Sequence, residues 1–297
     1  MKRYLRIISK RKFAYIFIAP SIIFFLVLTV YPLIYSLRSS FFRVSLLRLS
    51  LGQVFVGLEN YIKIFRDFVF WNSFRITAIF GVGTVILQFI LGFGIALLLN
   101  SIAKWKDFVR TIILLPLLIT PIVIGLAWKW LLNPEVGIIN YLIRLITGSF
   151  AGSLLGDPTM ALILVIMVDV WFLTPFVAIV ILAGLQSLSP ELYEAAKIDG
   201  STWFQSFKYI TVPLLKPVLL VVLLLRSVDT LKSFDIIFAL TKGGPGRATE
   251  ILQMLVYRTS FRDFEIGYGA ALSYIIILLS VIIAIFFVRK MSRVEVD

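Results

Sequence analysis

The amino-acid sequence predicts an all-α polytopic membrane protein with six transmembrane helices. Three features of the 297-residue chain lead to this fold class: 60% of its residues are apolar, only 15% are charged, and its mean hydropathy is +1.00. A soluble domain usually carries about 25% charged residues. Long apolar runs separated by short polar segments therefore place most of the chain in a lipid bilayer.

A spanning helix needs about 20 mostly apolar residues, and five segments meet this length plainly. The fifth span in chain order is weaker, because Lys216 and Arg226 add charge and Pro213 and Pro217 interrupt the helical pattern. It reaches full length only if its polar end faces protein or water. The predicted spans cover residues 13–34, 76–99, 111–132, 160–185, 211–229 and 270–288, within a single transmembrane domain of residues 1–297.

Basic residues at both ends of the chain predict its orientation. Lysines and arginines crowd the segment before the first span, and Arg289, Lys290 and Arg293 follow the last one, so both termini are expected in the cytoplasm. The first apolar run is too long for a secretory signal and no small-residue cleavage site follows it. The net charge of +13 lies between apolar segments, where it orients helices against anionic lipid rather than binding nucleic acid.

Residues 186–210, between the fourth and fifth spans, are predicted to form a structured cytoplasmic elbow of two short helices. Ser189 is suited to the N-cap of the first helix and Gly200 to its C-terminal cap. Thr202 with Gln205 matches a capping box that opens a second, aromatic-rich helix. A helix resting on lipid headgroups is the alternative, but such a helix normally carries basic residues, which are nearly absent here.

The elbow carries a motif of one transporter family. Residues 194–200 read EAAKIDG, and Phe207, Ile210, Pro213 and Pro217 follow. This stretch resembles the EAA loop of permease subunits in binding-protein-dependent ATP-binding-cassette importers. The longer run AGLQSLSPELYEAAKIDGSTWFQSFKYITVPLLKP is similar to the carbohydrate branch of that family, and to maltose-type permeases in particular.

Two further segments support the resemblance, namely SFDIIFALTKGGPGRATE and GLENYIKIFRDFVFWNSFRIT. They resemble the segment that leaves the fifth span and the first outer loop of the family. Ser201 departs from the pattern, because the family more often has alanine there. The chain also lacks the two extra spans and the large outer domain of the maltose permease proper, so it is closer to the compact six-span sugar permeases.

The resemblance implies a division of labour among several chains in a bacterial or archaeal cytoplasmic membrane. This chain would form the pathway with a second, similar permease, receive a sugar or sugar-like solute from an extracytoplasmic binding protein, and be driven by two ATPase subunits. It contains no G-x-x-x-x-G-K-[ST] phosphate loop, so ATP and magnesium are expected in the ATPase and no cofactor in this chain. The implied ATPase-coupling residues are Glu194, Ala195, Ala196, Asp199 and Gly200.

Polar residues within two spans predict the substrate pathway. Asp169, Phe172 and Phe176 recur at helical spacing on the fourth span, and an acid beside aromatic rings suits a sugar. Asp169 and Arg226 lie at nearly the same depth at about 1.5 Å rise per residue, so they can pair. The sequence leaves open whether that pair is structural or contacts substrate. The fifth span carries a second, wholly polar face at helical spacing, formed by Arg226, Asp229, Thr230 and Ser233.

Two other function classes are less compatible with the sequence. A polytopic enzyme needs a catalytic constellation, but the chain has no histidine and no cysteine, and Asp169 has no second acid on its span. No catalytic and no metal site is therefore expected. An ion-coupled secondary transporter is expected to show inverted repeats and broken helices in both halves, and no such repeat is apparent.

Overall fold

The computed structural model describes residues 17–45, 47, 52–101, 106–147 and 152–294, and these residues are almost entirely helical. In chain order the elements are α1 (Phe17–Ser40), β1 (Phe42–Arg43), β2 (Val54–Phe55), α2 (Glu59–Arg66), α3 (Phe68–Ser101), α4 (Lys106–Leu114), α5 (Pro121–Leu131), α6 (Ile138–Thr147), α7 (Pro158–Gln186), α8 (Pro190–Ile198), α9 (Trp203–Lys232), α10 (Asp235–Leu240), α11 (Leu252–Tyr257) and α12 (Ile266–Val294).

Five helices in the described ranges are long and apolar enough to cross a membrane: α1, α3, α7, α9 and α12. They correspond to the first, second, fourth, fifth and sixth predicted spans, and each is longer at one or both ends than predicted. The first four residues of the predicted first span, 13–16, lie outside the described residues. The predicted count of six is reached when the bent pair formed by α4 and α5 is taken as one span.

The predicted continuous third span over residues 111–132 is wrong. The helix breaks between Leu118 and Pro121, and its two arms are bent by 94°. Thr120 is extended, as expected for a residue that precedes proline, and Pro121 then starts the second arm. Hydropathy detected the apolar composition of this segment but not the break, which proline chemistry imposes.

The fifth span was predicted to start at residue 211, after a separate aromatic-rich helix. Instead, α9 runs without interruption from Trp203 to Lys232. A wide π-helical turn over Phe207–Thr211 stands just before Pro213, where a regular helix would clash with the proline ring. The widened turn therefore lets the elbow continue directly into the span.

The described residues divide into two compact units, and the larger lies within Asp67–Leu255 and Ile276–Asp297. In this unit α3 packs along α7, and α9 contacts both. One apolar cluster surrounds Phe80 and Val168, and a second surrounds Ala96 and Ile181 farther along the same two helices. Between the two clusters, polar side chains occupy the middle of the three-helix bundle.

The smaller unit lies within Met1–Arg66 and Val256–Ile275. Strands β1 and β2 pair antiparallel after α1. The buried Asn60 side chain donates hydrogen bonds to the carbonyl oxygens of Ser40 (2.8 Å) and Phe42 (3.1 Å), which fixes α2 against the end of α1. The ammonium group of Lys63 lies 4.7 Å from the ring centroid of Tyr268. Polar contacts therefore fix α2 and the short hairpin within this unit.

Candidate functional site

Three polar side chains meet in the middle of the bundle of α3, α7 and α9. Gln88, Asp169 and Arg226 each come from a different helix, and all three are buried. Charged groups within a membrane persist only against protein partners or water. Because the neighbouring helical turns are apolar, these three side chains find their partners in one another.

Gln88 bridges the other two members of this cluster. Its Nε2 donates to Asp169 Oδ2 at 2.9 Å and to the Asp169 carbonyl oxygen at 3.1 Å. Arg226 Nε donates to Gln88 Oε1 at 2.8 Å. Asp169 Oδ2 and Arg226 Nη2 are 3.7 Å apart, beyond ordinary hydrogen-bond distance. Asp169 and Arg226 therefore lie within ion-pair distance, as their depths allowed, and Gln88 hydrogen-bonds both of them.

A cavity of about 220 Å³ lies beside the cluster. It is an open cavity lined by residues from α7, the end of α9 and the start of α10, together with Pro121 of α5. Three carboxylates and two cations line it, which leaves a formal charge of −1. The aromatic and polar lining residues are Asp169, Phe172, Arg226, Asp229, Lys232, Ser233, Phe234 and Asp235. Rings beside hydrogen-bonding groups offer both an apolar face and polar partners to a ligand.

Five of the seven predicted pathway residues line this cavity: Asp169, Phe172, Arg226, Asp229 and Ser233. Asp229 accepts from Arg226 Nη1 at 3.3 Å, and its side chain is 54% exposed. Ser233 does not continue the helical face as predicted, because α9 ends at Lys232 and Ser233 is extended. It reaches the cavity from the link to α10.

The other two predicted residues face elsewhere. Phe176 packs with the second apolar cluster, since four residues of helix carry it about 6 Å beyond Phe172. The Thr230 hydroxyl donates to the Ser227 carbonyl oxygen at 2.9 Å and borders a separate, mostly apolar cavity of about 360 Å³ beside Gly81. Phe176 and Thr230 were predicted on the same helical faces as the cavity residues, but their side chains do not line the polar cavity.

Gln88, Lys232 and Asp235 were missed by the sequence analysis. Gln88 is an amide within an otherwise apolar predicted span, and that isolation was the available signal. Lys232 and Asp235 lie on either side of the break between α9 and α10, and both line the cavity. Helical periodicity in the sequence does not predict which residues meet across such a break.

Most of the first elbow helix, α8, is exposed, and only Tyr193 and Ala196 on it are partly buried. None of the residues of α8 is buried, Glu194 and Ala195 are exposed, and Ile198 is 87% exposed. Gly200 has φ +77°, and the Ser201 amide donates to the Ala196 carbonyl oxygen at 2.9 Å. This is the left-handed C-terminal cap that the sequence predicted. The predicted capping box between Thr202 and Gln205 is also present.

Polar and aromatic contacts join the elbow to the bundle. The hydroxyl groups of Tyr193 on α8 and Thr211 in the π-helical turn are 3.0 Å apart. Phe207 stacks on Trp203 at 5.4 Å and meets Phe93 of α3 edge-on at 5.6 Å. The elbow therefore joins the bundle at the wide turn of α9, while its outer face stays open.

These features agree with the comparison to known families. The family described as binding-protein-dependent transport system inner membrane component matches residues 88–293, which include the polar cluster and the elbow. The chain belongs to this family. It is therefore a multi-pass membrane permease, and the predicted resemblance to importer permeases is confirmed.

Relatives match the permease over most of its length. The trehalose/maltose transport system permease protein MalF of Thermococcus litoralis is 39% identical over 240 residues, which cover 80% of this chain and 81% of that protein. The sulfoquinovosyl glycerol transport system permease protein SmoG of Agrobacterium fabrum is 32% identical over 283 residues, with 95% and 91% covered.

The fold of the permease also matches a solved structure. A chain from the crystal structure of a bacterial alginate ABC transporter, in complex with alginate pentasaccharide-bound periplasmic protein, superposes with a TM-score of 0.85. The match covers 98% of each chain at 22% identity. At this identity the likeness shows a shared fold.

Proposed function

We propose that this chain is the membrane-spanning half of an ATP-driven importer for a sugar or sugar-like solute. The observation that carries the proposal is the buried Gln88, Asp169 and Arg226 cluster, which opens on a polar cavity inside a bundle of apolar helices. Buried charges are costly in a membrane, and a translocation pathway is a reason to keep them. We further propose that residues 1–297 act as one permease domain.

The chemistry of the cavity supports a sugar as the substrate. Phe172 offers an apolar surface, and Asp169, Asp229 and Ser233 offer partners for hydroxyl groups. Sugars present both kinds of surface at once. The names of the two relatives, which specify trehalose/maltose and sulfoquinovosyl glycerol, point to the same class of solute.

The exposed elbow is the proposed contact with an ATPase partner. Glu194 would face a basic group of that partner, and the small side chains of Ala195 and Ala196 would allow close approach. Asp199 and Gly200 end the helix, and the left-handed turn at Gly200 keeps it short. ATP and magnesium would be bound by the ATPase, with no cofactor in this chain.

Two ATPases, a second and similar permease and an extracytoplasmic binding protein complete the proposed complex. One elbow serves one ATPase, so two permeases are needed for a pair of ATPases. With the basic termini in the cytoplasm, an even number of spans is required. The six-span count, with α4 and α5 as one span, is compatible with that orientation.

Reconstitution tests the proposal. The permease, its partner permease and the ATPase are placed in lipid vesicles with the binding protein, and uptake of labelled trehalose or maltose is measured with ATP, without ATP, and with an imposed proton or sodium gradient. Uptake that requires ATP and the ATPase is the expected result. Uptake driven by a gradient alone would replace the proposal with an ion-coupled transporter.

A further inference from the structure

A third cavity, of about 640 Å³, lies where the elbow joins the bundle. This elbow cavity is lined by the end of α3, the end of α7, the elbow helix α8 and the start of α9. Three long apolar helices thus begin or end beside it, which is the level where hydrocarbon gives way to lipid headgroups. Its described lining shares no residue with the cavity beside Asp169.

The lining of the elbow cavity has an apolar part and a polar part. Along α3 it changes from Leu97 and Leu98 to Asn100 and Ser101 at the end of the helix. The polar residues that the elbow and α9 contribute are Tyr193, Lys197, Ser201, Ser206 and Thr211. An amphiphilic ligand fits this order, with an apolar chain beside the leucines and a polar head beside the elbow.

Lys197 gives the polar part of the elbow cavity a positive charge. None of the described lining residues is acidic, and the elbow carboxylates of Glu191, Glu194 and Asp199 are not among them. Within the described part of the chain, Lys197 also forms no ion pair. An ammonium group beside several hydroxyl groups suits a phosphate, because both kinds of group donate hydrogen bonds to its oxygens.

The backbone of α3 leaves room for a ligand chain at Gly94. A Cβ atom added to Gly94, which lines the elbow cavity, meets no atom within 4 Å. Two residues earlier, a Cβ atom added to Gly92 would lie 2.6 Å from Val177. The helix is therefore tightly packed against α7 at Gly92, and the open space belongs to the side of α3 that faces the cavity.

We propose that the elbow cavity binds one anionic phospholipid, with its phosphate at Lys197 and Ser201 and an acyl chain beside Leu97 and Leu98. Basic pockets between membrane helices bind anionic headgroups. Trp203, which lines the same cavity and is 70% exposed, is a residue type enriched at headgroup level. The lipid would connect the elbow to α3, and its binding does not depend on which solute the permease carries.

Retention of labelled phosphatidylglycerol tests the proposal. The complex that contains this chain is purified in a mild detergent, washed free of its own lipid and immobilised, and the labelled lipid retained per complex is counted. Unlabelled phosphatidylglycerol, phosphatidylcholine and inorganic phosphate are added as competitors in separate arms. Phosphatidylglycerol is expected to displace the label at a concentration about fivefold or more below that of phosphatidylcholine. Inorganic phosphate is expected to displace none, because it has no apolar chain.

Two variants change the two parts of the cavity separately. Lys197→Gln removes the charge, and Gly94→Leu fills the apolar part without a clash. Each is expected to weaken the retention of one phosphatidylglycerol per copy of this chain by about fivefold or more. Lys208→Gln makes the same charge change at an exposed lysine outside the described lining, and Gly94→Ala adds only one methyl group. Both controls are expected to retain the lipid as the wild type does.

Several results would overturn the lipid site. Equal retention by the wild type, Lys197→Gln and Gly94→Leu would refute the cavity as its location. Equal displacement by phosphatidylcholine would refute the preference for an anionic headgroup, and displacement by inorganic phosphate would replace the lipid with a free ion. Counts are expressed per intact complex, so a variant that assembles poorly still gives a result. Failure of sugar uptake in the reconstituted importer would refute the proposed function and leave these counts unchanged.

Discussion

The buried polar cluster and the exposed elbow are organised in opposite ways. Gln88, Asp169 and Arg226 are far apart in sequence and meet only because three helices pack together. The elbow is held mainly by local contacts, such as the cap at Gly200 and the capping box at Thr202. Long-range contacts suit a pathway between helices, whereas a locally specified elbow can present one face to a partner.

The largest expected effect comes from removing one charge of the cluster. Asp169→Ala or Arg226→Ala leaves the other charge buried without its partner, which costs about 3–5 kcal/mol in a protein interior. Both single variants should assemble poorly and lose uptake. Complex yield after mild detergent extraction and vesicle uptake measure these two effects.

The double variant Asp169→Ala with Arg226→Ala sharpens this result. A purely structural pair predicts that the double variant is less damaged than either single one in both yield and uptake. The pathway hypothesis predicts recovered yield with uptake at least as impaired. Wild-type uptake by the double variant would end the pathway assignment of these two residues.

Changes in the elbow are expected to abolish transport without disturbing the cluster. Glu194→Lys reverses a charge on the exposed face. Gly200→Val places a β-branched residue at a φ of +77°, which strains the backbone. The substitution causes no clash, because no atom lies within 4 Å of an added Cβ. Uptake and binding-protein-stimulated ATP hydrolysis should both be lost, while membrane insertion is retained.

Two matched controls accompany the elbow variants. Glu191→Lys makes the same charge reversal at another exposed position of α8, and Gly200→Asn keeps a residue that tolerates the left-handed region. Both are expected to retain most of the uptake. Equal losses in Glu191→Lys and Glu194→Lys would mean that the charge of the helix matters and Glu194 has no specific role.

The smallest expected effect distinguishes two phenylalanines of α7. Phe172→Leu changes the lining of the cavity as well as the first apolar cluster, whereas Phe176→Leu changes the second apolar cluster. Each substitution should lower stability by about 1 kcal/mol. Only Phe172→Leu should also raise the sugar concentration for half-maximal uptake, by severalfold. An equal rise of the half-maximal sugar concentration in Phe176→Leu would show that the pathway follows the helical face predicted from the sequence and not the cavity.

The sequence predicted features that depend on local contacts more accurately than features that depend on long-range contacts. The end of the first elbow helix and the start of the next helix were predicted because the Gly200 turn and the Thr202 capping box act over a few residues. Apolar spans were predicted because composition over about 20 residues is sufficient. The 94° bend before Pro121 was missed because hydropathy measures composition and not breaks in the backbone, and the ending of α9 at Lys232 was missed because helical spacing does not show where a helix stops. Gln88 was missed because its hydrogen-bond partners lie more than 80 positions away in the sequence.

The most direct test of the account measures ATP hydrolysis and sugar uptake in the same vesicles for one variant from each region. Asp229→Asn changes a half-exposed cavity residue, and Glu194→Lys changes the elbow. The account predicts that Asp229→Asn retains hydrolysis stimulated by the sugar-loaded binding protein but requires more sugar for uptake, while Glu194→Lys loses stimulated hydrolysis and uptake together. Normal uptake by Glu194→Lys, or loss of stimulated hydrolysis by Asp229→Asn with an unchanged sugar requirement, would contradict the separation of pathway and coupling surface.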